Sequence, residues 1–200
     1  MKKGFTLVEL LVVIAVLSIS ILLVLYIFTN SLRGSNKAQI LSSIKKNGQA
    51  VLEVVDKTIR SSDNVICPAI PSGSTSASST GLVIEKVGLY TRYRFVSATG
   101  TVNGSMKQDN PTRGSTESIS NFINRVCNIA DPLSSQALVL TDTNPQVGVS
   151  IQNGSFKRNK QIGFKDTVTI SFQVTYPVEV SPALVGQIDP VDFATTVQLR

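Results

Sequence analysis

Gly4-Phe5-Thr6-Leu7-Val8-Glu9 opens an apolar run that continues from Leu10 to Phe28 without a charged side chain. As a helix rising ~1.5 Å per residue, Leu10–Phe28 extends about 28 Å, close to the thickness of a bilayer's hydrocarbon core. Lys2 and Lys3 precede the run, and one carboxylate, Glu9, lies inside its N-terminal end. An ordinary secretory signal does not account for this stretch. Its apolar core is too long, and a small-x-small cut at Ser18-Ile19-Ser20 would leave Ile21–Phe28 as a bare apolar N-terminus. A plain signal anchor accounts for the length but not for Glu9. A carboxylate costs roughly 2.5–3.5 kcal/mol at the centre of a membrane helix and less toward its end, so an intramembrane carboxylate marks a function.

Met1-Lys2-Lys3-Gly4-Phe5-Thr6-Leu7-Val8-Glu9-Leu10-Leu11 resembles the leader and start of a type IV prepilin, the family of type IV pilins and type II secretion pseudopilins. The resemblance spans residues 2–20. It implies that a prepilin peptidase cuts after Gly4 and methylates the new amine of Phe5. It further implies that Glu9 pairs with the terminal amine of a neighbouring subunit in a filament. A cation beside the carboxylate offsets much of the cost of placing it in lipid. The partners so implied are other pilin or pseudopilin subunits, the prepilin peptidase and the cytoplasmic membrane. No cofactor, metal or catalytic residue is implied.

Lys2 and Lys3 keep the N-terminus cytoplasmic by the positive-inside rule, which exports everything after about Asn30. The expected organisation is a leader at 1–4, a transmembrane or filament-core helix at 5–30, an amphipathic continuation at 31–63, and an exported β-rich head at 64–200. No proline occurs before Pro68, so one helix is expected from about Phe5 to about Ser62, ~85 Å long. Thr29–Asn36 is poor helix sequence and predicts a soft spot at the membrane exit. Beyond it Leu41, Ile44, Gly48, Val51, Val55 and Ile59 recur at helical spacing, with Ile40 and Leu52 flanking. Glu53–Lys57 and Asp56–Arg60 are favourable i,i+4 pairs on the opposite face. Gly48 on the stripe suggests either close approach of a neighbouring backbone or a tolerated glycine. Many major pilins carry a helix-breaking proline in the apolar half, and this chain has none there.

The remainder reads as β-rich. Residues 68–81 form a low-complexity Ser/Gly/Pro loop, and 107–115 a second loop. Leu82–Ile84, Leu89–Val96, Leu138–Leu140, Val147–Ile151, Val168–Tyr176 and Phe193–Leu199 read as strands, with Leu89–Val96 buried on one face. Asn103-Gly104 and Asn153-Gly154 are hairpin turns by composition, which explains them better than the N-glycosylation pattern they also match. Thr116–Val126 places Ile119, Phe122, Ile123 and Val126 at helical spacing. The fold class is therefore α+β: a long N-terminal helical spine packed on a mainly antiparallel sheet. The head also resembles, at low specificity, the PilW-like and J-type minor subunits.

Lys+Arg 19 against Asp+Glu 13 gives +6, and cleavage after Gly4 would remove two lysines to leave +4. The charge is thinly spread, with one basic block at Lys157-Arg158-Asn159-Lys160, and reads as a solvated surface. Nucleic-acid binding would require a clustered patch with stacking aromatics. Cys67 and Cys127 lie in the exported part, where disulfides persist. They form either a bridge or two buried thiols, and the compartment favours the bridge. The chain has no histidine, which removes histidine-based triads and metal sites. A signal-anchored enzyme or sugar-binding module remains the reading of another class.

Overall fold

The computed structural model describes residues 6–160, 162–180 and 188–199. One helix, α1 (Leu7–Arg60), runs unbroken for 54 residues, ~81 Å. Thr6 caps its start, and Ser61 ends it, with the Ser61 N–H donating to the Lys57 and Thr58 carbonyls. The expected soft spot at Asn30–Asn36 is absent. Thr29 folds its hydroxyl back onto the Leu25 and Tyr26 carbonyls at 3.0 Å, and no proline interrupts the ladder. The ~1 kcal/mol disfavour of Gly34 is then absorbed by a cooperative helix.

The head follows as β1 (Asn64–Cys67), β2 (Ser76–Ser79), β3 (Gly81–Lys86), β4 (Leu89–Val96), β5 (Ser105–Asp109), α2 (Ile119–Cys127), β6 (Leu138–Val139), β7 (Ser150–Asn159), β8 (Thr167–Thr175) and β9 (Val191–Gln198). All pairings are antiparallel. Two sheets form instead of the single sheet expected, ordered β1-β3-β4-β5-β6 and β2-β7-β8-β9. The α+β arrangement of a long N-terminal helix on antiparallel sheet is otherwise as read from the sequence.

Several local expectations fail for one reason: a partner strand overrides local chemistry. Within 68–81, Ser76–Ser79 is a strand because β7 supplies its ladder, Ser76 opposite Asn159 and Ser79 opposite Phe156. Residues 107–109 of the second expected loop belong to β5. Asn103-Gly104 is not a turn. The Asn103 side chain is buried, donating to the Asn144 carbonyl at 2.8 Å and accepting from Val178 N–H at 2.8 Å. The two-residue hairpin lies instead at Val87-Gly88, with φ of 49° and 74°, between Lys86 and Leu89. Asn153-Gly154 sits inside β7 as a bulge, where the register to β8 shifts between Gln152 and Ser155. It bends the strand without reversing it, so β7 continues well past Ile151.

The stripe on α1 is buried as read, through Ile44, Gly48, Val51, Val55 and Ile59. Sheet β2-β7-β8-β9 covers it, chiefly with β9. A row of rings joins the layers. Phe95 of β4 stacks on Phe156 of β7 at 4.9 Å between centroids and meets Phe172 of β8 at 5.6 Å. Phe172 stacks on Phe193 of β9 at 5.4 Å. Phe193 ends against Gly48, where an added Cβ would stand 2.2 Å from its ring. Gly48 thus admits a ring, not the neighbouring backbone suggested by the sequence. Gly154 does the same for Phe95, again at 2.2 Å. At the top of the helix Tyr93 donates to Thr58 Oγ1 at 2.8 Å, and that hydroxyl donates to the Val54 carbonyl at 2.7 Å. Asp56–Arg60 closes as an ion pair at 2.8 Å, whereas Glu53 and Lys57 do not pair with each other.

Gly48→Ala is therefore expected to destabilise the head by about 1–3 kcal/mol through overpacking, against alanine's ~1 kcal/mol helix preference. In a Phe193→Ala background the same change should be neutral or stabilising. Thermal unfolding of the four proteins of this cycle checks it, and equal cost in both backgrounds would refute the contact.

Candidate assembly helix and the clamp on the head

Among the described residues, nothing in the head covers the first half of α1. Its large apolar side chains from Leu7 to Phe28 are exposed on every side, from 47% at Val13 to 81% at Leu7. Such an all-round apolar helix is stable only in lipid or among other helices. Its serine hydroxyls are satisfied internally: Ser18 donates to the Ile14 carbonyl at 2.8 Å and Ser20 to the Val16 carbonyl at 2.9 Å, so neither is left bare in an apolar medium.

At the start, Thr6 Oγ1 accepts from the Glu9 N–H at 3.3 Å. Thr6-x-x-Glu9 is the spacing of a capping box, a local signal the sequence reading passed over. Only the threonine half of the box forms, and among the described residues the Glu9 carboxylate makes no ion pair. It stands exposed in the first turn, where the helix dipole favours a negative charge. Gly4 and Phe5, the expected cleavage pair, lie outside the described residues.

The head carries a second constellation, absent from the sequence expectations. Arg92 and Arg94 point to the face of β4 opposite Tyr93 and Phe95, and both are buried. Arg92 forks onto Asp109, Nε to Oδ1 at 2.8 Å and Nη2 to Oδ2 at 2.6 Å. Its Nη1 reaches Asp131 at 2.5 Å, and its Nη2 also donates to the Pro132 carbonyl at 3.0 Å. Arg94 donates to the carbonyls of Asp131 and Asn128. Asp109 Oδ2 additionally accepts from Ser134 N–H at 2.9 Å. Two guanidiniums thus pin the irregular segment 128–134 onto the outer face of the five-stranded sheet. Burial alone would push the Asp109 carboxyl up, but the hydrogen bonds from Arg92 and Ser134 and the two guanidinium charges hold it below its ordinary 3.8. Burial, reinforced by Arg92, pulls Arg94 down, whereas the hydrogen bonds that Arg92 donates to Asp109 lead the influences that raise Arg92. The available sequence clue was a pair of arginines alternating within an otherwise apolar strand.

The same segment is fixed covalently. Cys67 at the end of β1 and Cys127 at the end of α2 form a disulfide, which closes a loop of 60 residues and contributes roughly 4 kcal/mol by restricting the unfolded chain. Around it Val83, Phe122 and Val126 make a small core of their own, with Tyr90 edge-on to Phe122 at 4.7 Å. Ile119, placed on the apolar side of α2 by its spacing, is exposed.

Residues 1–25 match the family described as the prokaryotic N-terminal methylation motif. No curated protein and no solved structure matches the chain. The motif, the apolar helix behind it and the antiparallel sheets beyond are consistent with a type IV pilin or pseudopilin, and the motif points to a structural subunit processed by a prepilin peptidase.

Arg92→Leu should cost the head about 3–5 kcal/mol by stranding the Asp109 and Asp131 carboxylates, read as a lowered melting temperature with the disulfide intact. Because the folded Asp109 titrates below 3.8, its contribution is present above that value. It should be lost as pH falls from about 5 downward through the folded value. Stability that rises on acidification over this range would contradict the arrangement.

Proposed function

We propose that this chain is a subunit of a type IV pilus or a related filament, assembled through α1 after prepilin-peptidase processing. The reading rests on one observation: a processed-type N-terminus leads directly into an apolar half-helix that its own head leaves bare. Residues 1–4 are the leader and 5–30 the membrane and filament-core segment. Residues 31–63 continue the spine, and 64–200 form the exported head. Before assembly the helix holds the protein in the cytoplasmic membrane, N-terminus inside. Cleavage between Gly4 and Phe5 frees an amine that is then methylated. Glu9 pairs with that amine on a neighbouring subunit, which neutralises both charges as the helices leave lipid for the filament core. The half-formed capping box fits this role, since Thr6 alone serves the backbone and leaves the carboxylate available.

Within the family, the unbroken helix without a proline supports a minor pilin, and supports a type II secretion pseudopilin equally. Glu9→Ala is expected to leave cleavage intact and to reduce incorporation into sheared filaments at least tenfold. Gly4→Leu is expected to block cleavage and abolish incorporation. Quantitative immunoblots of membrane and filament fractions check both. Normal incorporation of Glu9→Ala would remove the assigned role, and assembly of uncleaved Gly4→Leu would remove the processing step.

A further inference from the structure

The chain's one basic block, Lys157-Arg158-Asn159-Lys160, closes the end of β7. Beyond it the β7–β8 hairpin turns through Gly163 at φ 82°. The tip presents Ile162, fully exposed, and Phe164, 70% exposed. Neither side chain packs on the core, so the fold gives no reason for them to be apolar. Lys160 and Lys165 flank them, Lys157 lies further back along β7, and all three are exposed with no ion pair among the described residues. The hairpin's own acid, Asp166, is taken up by Arg158, with Nε at 2.7 Å and Nη2 at 2.5 Å. Among the described residues the strands beside the tip line its cleft with uncharged groups, Thr75 before β2 and Gln198 at the end of β9. Lys160, Phe164 and Lys165 share with Thr75 and Thr167 a cleft of about 350 Å³. That volume has room for a phosphate-bearing headgroup beneath the ring.

The tip also has a direction. Val147 and Val180, which lead into β7 and out of β8, line a pocket with Ile40 and Ser43 of α1, near the membrane exit. The hairpin tip closes the opposite end of those strands, ~30 Å away at ~3.4 Å per residue. It therefore faces away from the bilayer that α1 would span.

We propose that this tip docks on an anionic lipid bilayer other than the one α1 spans. Ile162 and Phe164 enter the headgroup–acyl boundary, and Lys160 and Lys165 hold lipid phosphates. An aliphatic and an aromatic side chain among lysines is the composition of an interfacial anchor. A single-stranded nucleic-acid platform would use the ring for stacking but has no use for isoleucine. Each lysine should strengthen binding roughly fivefold at an anionic surface.

The test uses the full chain, reconstituted through α1 into phosphatidylcholine nanodiscs and mixed with separate vesicles. Flotation is expected with vesicles containing phosphatidylglycerol and not with phosphatidylcholine alone, and it should weaken as salt is raised. Lys160→Glu/Lys165→Glu should lose at least roughly 25-fold in affinity, and Ile162→Ser/Phe164→Ser should abolish flotation. Both variants should keep the wild-type melting temperature, because every altered side chain is exposed. Equal flotation with both lipids, no flotation with either, or full flotation of Ile162→Ser/Phe164→Ser would overturn the proposal. Binding of duplex DNA without vesicle binding would reassign the lysines to a nucleic acid.

Discussion

The head can cover only one half of α1, and everything else in the molecule follows from that. Covering begins where the stripe begins. Ile44, Gly48, Val51, Val55 and Ile59 lie under sheet β2-β7-β8-β9, and the ring row from Phe95 through Phe172 to Phe193 carries that packing to the second sheet. From Leu7 to Phe28 the described part of the head leaves the helix exposed. The same backbone element thus has two solvents. Its upper face is a soluble-protein core, and its lower half needs an apolar medium supplied by something outside the chain. A continuous helix keeps the two rigidly connected, so whatever holds the lower half sets the position of the head.

The head answers with rigidity of its own. The irregular segment between α2 and β6 has little regular structure to hold it. It is fastened instead by the Cys67–Cys127 disulfide at its start and by the paired arginines of β4, which hold Asn128, Asp131 and Pro132. Buried ion pairs of this kind contribute little net stability against an apolar core, but they are costly to break. They therefore fix one arrangement of the segment rather than simply strengthening the fold. The disulfide among these fastenings is of the kind that persists in an oxidising compartment.

What was legible in the sequence was what repeats. The stripe on α1 announced itself by its 3.6-residue period, β8 by strict alternation from Val168 to Thr175, and α2 by the spacing of Phe122 and Val126. Asn30–Asn36 misled because propensity is a weak local term in a long cooperative helix. Asn103-Gly104 and Asn153-Gly154 misled because the same dipeptide suits a turn, a bulge or a close approach, and only the neighbouring strands decide. Val87-Gly88, the actual tight turn, carries a residue that turn statistics disfavour. Of the candidate site, Glu9 stood out because a charge in an apolar run is costly anywhere along it. Arg92 and Arg94 did not, because their partners are distant in the chain: β4–β5 pairing brings up Asp109, and the fold of the segment after α2 brings up Asp131.

The central claim is that the mature chain begins at a freed and methylated Phe5, which would give Glu9 its partner on a neighbouring subunit. Intact mass and N-terminal peptide mass spectrometry on the protein from its native membrane test it most directly. The account predicts a chain that starts at N-methylated Phe5, with Cys67 and Cys127 oxidised. A chain still starting at Met1 would contradict it, leaving an ordinary signal anchor and a carboxylate without a role.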